Sequence, residues 1–335
     1  MDFFTHIVVG VAGGRFLFRN PDHQKAFILG SISPDFDAFI AWLPALIPDL
    51  IVLGHRGVSH SLIFMLFAIP ILIHGTRYLK TIKRFPSLEA LLRESQIPLT
   101  GSTWIIGASG SFFHLIIDTL NPQGTMLFYP FLTERVSVST MSFIDPVVTL
   151  LSGGFFFWFL YKKVYKEQVP SIKVIDRYTR TVTVLFVVML SSYALMQINT
   201  VNNYQPETST TEVLSFQRWI IEDITDSLKV ELVNQLTQQV ERTYFYEKIT
   251  WNQSRWSRSD IESVITAAMQ TRKYRNFIFK RNPDTRLVYN VTMNFEENSW
   301  AVEITDVFED VLLKYWGLDR LLPTRSKFEV TIEIY

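Results

Sequence analysis

Residues 181–198 read TVTVLFVVMLSSYALMQI and carry no charged side chain. A run of this length is near the roughly 20 apolar residues that cross about 30 Å of hydrocarbon as a helix. Working outward, 143–161 (FIDPVVTLLSGGFFFWFLY) is equally apolar apart from Asp145. Residues 103–120 (TWIIGASGSFFHLIIDTL) are apolar but carry His114 and Asp118, and 61–79 (SLIFMLFAIPILIHGTRYL) are apolar until His74. Segments 143–161 and 181–198 lack the polar face that a helix on a soluble protein shows. The expectation is a mainly α chain with a polytopic helical membrane domain of about four spans; the alternative is a set of buried core helices. A further apolar stretch, 26–53, contains Asp35, Asp37, Asp49 and three prolines, and it either enters the membrane partially or packs over the other helices.

Composition agrees with a membrane part. Of 335 residues, 48% are hydrophobic and 19% charged, the mean hydropathy is +0.15, and Phe alone counts 27. Such a chain is not disordered. Lys+Arg and Asp+Glu are both 32, so the net charge is zero and no nucleic-acid partner is expected. With no cysteine there is no disulfide and no thiolate metal ligand. The N-terminus opens with an acid, and Arg15 and Arg19 follow the apolar part, which is the reverse of a cleavable signal.

The polar stretch 199–211 divides the chain into a membrane domain, 1–200, and a soluble α+β domain, 205–335. Residues 1–204 carry a balance of +4 and residues 205–335 of −4, and all six histidines precede residue 115. Eleven of the 16 basic residues before 205 fall in two loops, 77–93 and 162–180. By the positive-inside rule both loops are cytoplasmic, which puts residues 1–60, the loop near Asn121 and the C-terminal domain on the opposite, outer face. In that domain, 211–244 and 259–273 are expected as helices, with Ser259 and Asp260 as cap. Segments 286–295, 299–307 and 327–335 alternate as half-buried strands, the first two forming a hairpin around Glu296, Glu297 and Asn298.

Four clusters of metal-type ligands sit in the apolar N-terminal part, where an unpaired ionisable group is costly. They are Thr5-His6, then Ser33-Pro34-Asp35-Phe36-Asp37, then His55-Arg56-Gly57-Val58-Ser59-His60-Ser61, then His114 with Asp118, Asn121 and Gly124. His114 and Asp118 are i and i+4 on a helix, so they can chelate one ion or simply bond each other. Asp35 and Asp37 follow Pro34 on a turn. Alternate carboxylates there can ligate or bridge ions, or one of them can cap the following helix. His55 and His60 flank a glycine that lets both converge, with Arg56 as a cationic fork suited to a phosphate or carboxylate. Histidine with carboxylate and no cysteine suits Zn²⁺ or another first-row metal in a hydrolytic site, with room for one or two ions. His23 and His74 fall outside the pattern.

The order TH-x-x-x-G, S-x-x-PD-x-D, HRG-x-x-HS, H-x-x-x-D-x-x-N-x-x-G resembles the YdjM-type family, described as inner-membrane-associated metal-dependent hydrolases. The resemblance covers roughly residues 1–160. More distantly, it is similar to the zinc-dependent phospholipase C and single-strand nuclease superfamily, whose helical core binds zinc through His and Asp. That similarity implies His6, Asp35, His60, His114 and Asp118 as metal ligands, with His55, Asp37 and Asp145 as further candidates. The phospholipases also use their N-terminal amine and additional His and Glu ligands, which have no match here. Residues 205–335 lie outside the resemblance.

The function expected is a membrane-bound hydrolase acting on a phosphoester, with an amphipathic or lipid-derived substrate suggested by location. Asp35 or Asp37 would serve as general base if not a ligand, and Arg56 would hold the substrate anion. The contrasting expectation is a non-catalytic membrane protein with a structural metal and a partner-binding C-terminal domain. Metal transport fits less well, since the ligands gather near one end of the spans instead of running through them.

Overall fold

The computed structural model describes residues 3–40, 42–79, 97–140, 146–164, 172–203, 209–214, 217–253, 255–279, 286–318 and 326–333. It separates into two compact units, Met1–Ala194 and Leu195–Tyr335.

The first unit is helical. Helix α1 spans Phe3–Leu17 and α2 spans Pro21–Ile32. Asn20 starts α2, its side chain accepting from the Asp22 N–H while Pro21 takes the first turn, where no N–H is needed. Pro34 then opens a 3₁₀ turn, Pro34–Phe39. A short helix α3 (Leu43–Leu46) and 3₁₀ turns at Pro48–Leu53 and Val58–His60 follow. Three long helices come next: α4 (Leu62–Leu79), α5 (Gly101–Thr119) and α6 (Pro146–Val164). Thr100 and Thr103 form a reciprocal capping box that fixes the start of α5. Helix α7 runs from Ile172 to Asn202.

All four expected membrane segments are helical in their described parts. Among the described residues one helix, Lys173–Thr200, is long and apolar enough to cross a membrane. The apolar parts of α4 and α6, Leu62–His74 and Val148–Trp158, are shorter. In α5 about half the residues are buried, the polar Thr103, Ser111, His114 and Asp118 among them. Segment 26–53 is not one helix: prolines at 34, 44 and 48 break it into α2 and a series of short turns.

The second unit is richer in sheet than expected. Residues 211–244 are not helix. They form an antiparallel sheet with β1 (Ser209–Leu214), β2 (Gln217–Ile224), β3 (Ser227–Asn234) and β4 (Gln239–Glu247). The physical reason is visible in β3. Leu228, Val230 and Leu232 alternate with Lys229 and Glu231, and the first three are fully buried. A period of two places them on one sheet face, whereas a helix would scatter them. Thr225 and Asp226 make the two-residue turn of the β2–β3 hairpin.

A second sheet orders β5 (Ile249–Trp251), β6 (Leu287–Asn294), β7 (Ser299–Asp306) and β8 (Lys327–Glu333), with β5 parallel to β6. The β6–β7 hairpin closes between Asn294 and Ser299, as alternation predicts. Helices α8 (Arg258–Gln270) and α9 (Arg272–Phe279) pack their Ile261, Ile265 and Phe277 on this sheet. The cap of α8 is Ser257, with Asp260 returning the bond in a capping box; Ser259 is already inside the helix. Helix α10 (Val307–Trp316) covers the first sheet through Val307 and Val311.

Candidate metal centre

Close helix contacts bring the four clusters together. A Cβ on Gly10 would overlap the Ser31 side chain, and one on Gly30 would overlap the Gly107 carbonyl, so α1 meets α2 and α2 meets α5 almost backbone to backbone. This contact sets the Ser31 carbonyl 2.7 Å from His114 Nδ1. A carbonyl only accepts, so Nδ1 carries a proton, and the neutral ring turns its Nε2 lone pair to the interior.

Around His114 Nε2 stand His60 Nε2 at 3.3 Å, Asp35 Oδ1 at 3.6 Å and Asp118 Oδ2 at 3.6 Å. His60 Nε2 lies 3.4 Å from Asp118 Oδ2 and 3.7 Å from Asp35 Oδ1. His6 joins through Nε2, 3.2 Å from Asp118 Oδ1, its ring stacked on His114 at 3.7 Å. All five residues are buried, Asp35 most accessible at 8%. His6, His114 and Asp118 form one group able to hold a metal ion, and Asp35, His55 and His60 another. The shared distances make the two groups contiguous.

A second layer orients these donors. Asp37 Oδ1 sits 2.7 Å from His55 Nδ1, while Asp37 Oδ2 takes the Arg56 N–H at 3.1 Å, lies 3.2 Å from His60 Nδ1 and accepts from the Ser59 hydroxyl. Asp37 therefore fixes both His55 and His60. His55 is the exposed member, about a third open to solvent. Arg56, expected to face a substrate, is 1% exposed and adopts φ +64°. Its guanidinium donates to Asn121 Oδ1 at 2.5 Å and to Asp118 Oδ1 at 3.0 Å. Asn121 in turn donates to the Asp118 carbonyl at 2.7 Å. Asp145 lies outside the described residues. His23 and His74 stand apart from the cluster, His23 near Ser102 and His74 exposed.

The electrostatics favour a cation. Asp35, Asp37 and Asp118 put three carboxylates beside one guanidinium. Burial raises the pKa of Asp35 and Asp37, but bonds from His60 and His55 outweigh it and hold both below the usual carboxylate range. Burial opposes a charged His60, yet Asp118, Asp35 and Asp37 push its pKa up to about 10. Asp35 Oδ2 and His6 Nδ1 are buried with no hydrogen-bond partner. An orphaned carboxylate oxygen beside converging imidazole lone pairs is the donor set of a divalent cation. The residues present thus fit a metal; which metal is left open by the donors.

Sequence reasoning passed over Asn121 and Ser59 as partners, although both lie within the quoted motifs. It also passed over Arg135, half-buried in the loop after α5. Burial, with Arg56 nearby, lowers the Arg135 pKa to about 10. Its lone position in a loop with no other basic residue was the available signal.

No curated protein and no solved structure matches the chain. The family model described as YdjM inner membrane protein matches residues 1–201, which include every donor of the cluster and the helix able to span a membrane. On that match the chain belongs to the YdjM inner membrane protein family.

Proposed function

We propose that the protein is a membrane-bound, metal-dependent hydrolase acting on a phosphoester. The observation that carries this reading is the convergence of His6, Asp35, His60, His114 and Asp118 on one buried centre. These five residues would hold the ion, with zinc or manganese suited to a His and carboxylate set without sulfur. When bound, such an ion lowers the pKa of a water molecule and polarises a phosphoryl oxygen. Asp35, where it is not a ligand, would accept the proton of the attacking water at its Oδ2, which has no hydrogen-bond donor. Asp37 keeps His55 and His60 in position. Arg56 balances Asp118, and Arg135, close enough to Arg56 to feel its charge, would add positive potential for a substrate anion.

The topology proposed with it has about four membrane crossings, at α4, α5, α6 and α7, and the C-terminal unit on the outer face. The Lys and Arg bias of loops 77–93 and 162–180 supports this arrangement.

A second reading, a structural metal in a non-catalytic membrane protein, draws on the near-complete burial of the donors. Elemental analysis of the detergent-purified chain separates the outcomes. One or more ions per chain, absent from the His114→Ala/Asp118→Ala double variant, together with hydrolysis of a nitrophenyl phosphoester, supports the enzyme. Tightly held metal without turnover supports the structural role. No metal in either protein overturns both.

A further inference from the structure

His55 occupies the corner of a tight turn. The Gly57 N–H donates to the Gly54 carbonyl at 2.9 Å, with His55 and Arg56 between them. Arg56 takes φ +64°, the left-handed conformation found at the third position of several tight turns. A Cβ on Gly57 would overlap the Val52 carbonyl, so the turn lies flush against the preceding segment. Arg56 is anchored inward on Asn121 and Asp118. Its neighbour His55 is left at the rim.

Of the described residues in the cluster, His55 alone is exposed. Its side chain is 36% accessible, against 8% for Asp35 and 2% or less for Asp37, His60, His114 and Asp118. A substrate arriving from solvent meets His55 first. One ring nitrogen of His55 lies within 4.8 Å of a carboxylate oxygen of Asp35 and a ring nitrogen of His60. An oxygen bound between them falls within the roughly 2.6–3.2 Å over which a side chain passes a proton to a reacting atom.

Asp37 holds both histidines, and it aims them differently. Its Oδ1 is 2.7 Å from His55 Nδ1, and its Oδ2 is 3.2 Å from His60 Nδ1. His60 turns Nε2 inward, to Asp118 Oδ2 at 3.4 Å and Asp35 Oδ1 at 3.7 Å. Among the described residues Asp37 is the one acid at ion-pair distance from His55. His55 therefore stands one layer out from the five donors. A carboxylate on Nδ1 keeps a proton there and stabilises the imidazolium, which leaves Nε2 to face a substrate.

We infer that His55, braced by Asp37, is the general acid that protonates the leaving oxygen of the ester. This role rests on the hydrolase reading. In the step, the oxygen of water bonds to phosphorus and the water's proton goes to Asp35. The bond from phosphorus to the leaving oxygen breaks, and that oxygen takes the proton of His55 Nε2. One water is consumed and an alcohol is released. Solvent at the open rim then returns the proton from Asp35 to His55. Such an acid matters most for an alkoxide, a poor leaving group, and least for a nitrophenolate, which departs without a proton. The substrate class that needs His55 is an ester of an ordinary alcohol.

The test compares benzyl phosphate with nitrophenyl phosphate on the full chain in detergent, loaded with zinc or manganese. Wild type is run beside His55→Gln and His55→Ala, and bound metal is measured on every sample by elemental analysis. His55→Gln should keep the wild-type metal content. It should lower the ratio of benzyl to nitrophenyl turnover about 100-fold or more, the size of a general-acid contribution. His55→Ala should show the same shift, and imidazole added to the buffer should raise its benzyl turnover through the open rim.

Loss of metal from both variants would make His55 a donor, and an equal fall for the two esters would leave it no role as an acid. Either result overturns the inference and keeps the hydrolase. Metal-loaded wild type that turns over neither ester removes the hydrolase reading, and the role of His55 with it.

Discussion

His60 Nε2 and His114 Nε2 face each other across 3.3 Å, while the second nitrogen of each ring is held by an oxygen, Asp37 Oδ2 at 3.2 Å and the Ser31 carbonyl at 2.7 Å. With both outer nitrogens protonated, the neutral rings turn their inner lone pairs toward a cation, and in the metal-free protein a proton on His60 takes its place. This pairing is the centre of the site, and the predictions that follow probe it from different sides.

Asp118→Asn removes the carboxylate that both His60 and Arg56 face. Arg56 then remains buried with the Asp118 charge gone, a change that costs about 3–5 kcal/mol in comparable buried pairs. The variant should bind metal at least tenfold more weakly and melt at lower temperature. Unaltered metal affinity by isothermal titration would show that Asp118 is not a donor.

Asp37→Asn leaves the five inner donors in place and loosens the orientation of His55 and His60. Loss of such an outer partner typically lowers metal affinity about 10–100-fold. The expected outcome is a correctly inserted protein with weakened metal retention on dialysis against a chelator. Retention equal to wild type would count against its orienting role.

Gly30→Ala places a methyl against the Gly107 carbonyl, a backbone atom that cannot swing away. Overpacking of this kind costs about 1–3 kcal/mol. Helix α2 should shift from α5, the Ser31–His114 bond should lengthen, and metal occupancy should fall with stability. Wild-type occupancy and melting would contradict so close a contact.

In the metal-free protein, His60 is raised from 6.5 to about 10 and Asp37 is held below its ordinary 3.8. A raised histidine contributes its stability fully below pH 6.5 and loses it as pH climbs toward 10. A depressed carboxylate contributes above its ordinary pKa and loses that as pH falls below it. Chelator-treated protein should therefore melt highest near pH 5–6 and lower at pH 9. Metal binding requires a neutral His60, so added zinc should reverse the trend. A melting temperature that rises from pH 6 to 9 in chelator would exclude this protonation pattern.

In the C-terminal unit, Leu228→Ala and Leu232→Ala should each cost about 2–5 kcal/mol, because both side chains are buried in the first sheet. Lys229→Ala, on the other face of β3, should cost under about 1 kcal/mol, its ion pairs with Glu222 and Glu231 being partly exposed. Chemical denaturation of the three variants measures the contrast, and equal costs would mean that the strand register is wrong.

Much of the architecture was legible in local chemistry. The uncharged run within α7, the proline after Ser33, the hairpin at 294–299 and the one-turn spacing of His114 and Asp118 each follow from a few consecutive residues. Residues 211–244 were misread because apolar residues in hairpins with short turns also satisfy a loose helical spacing. Only pairing between strands settles which period is used. Among the described residues one helix, Lys173–Thr200, is long and apolar enough to cross a membrane, and the polar side chains buried inside α5 interrupt what reads in the sequence as an apolar run.

The sequence by itself determined which side chains are available: four histidines and three aspartates in the N-terminal motifs, with no cysteine to compete. Tertiary structure alone decided which of them meet. His6 reaches Asp118 across 112 residues, and His60 reaches His114 across 54. It also decided that Arg56 is turned onto Asp118 and not toward solvent. Spacing along a chain fixes neighbours within a helical turn, but convergence of distant segments depends on how closely backbones pack, and here that closeness comes from glycines at Gly10 and Gly30.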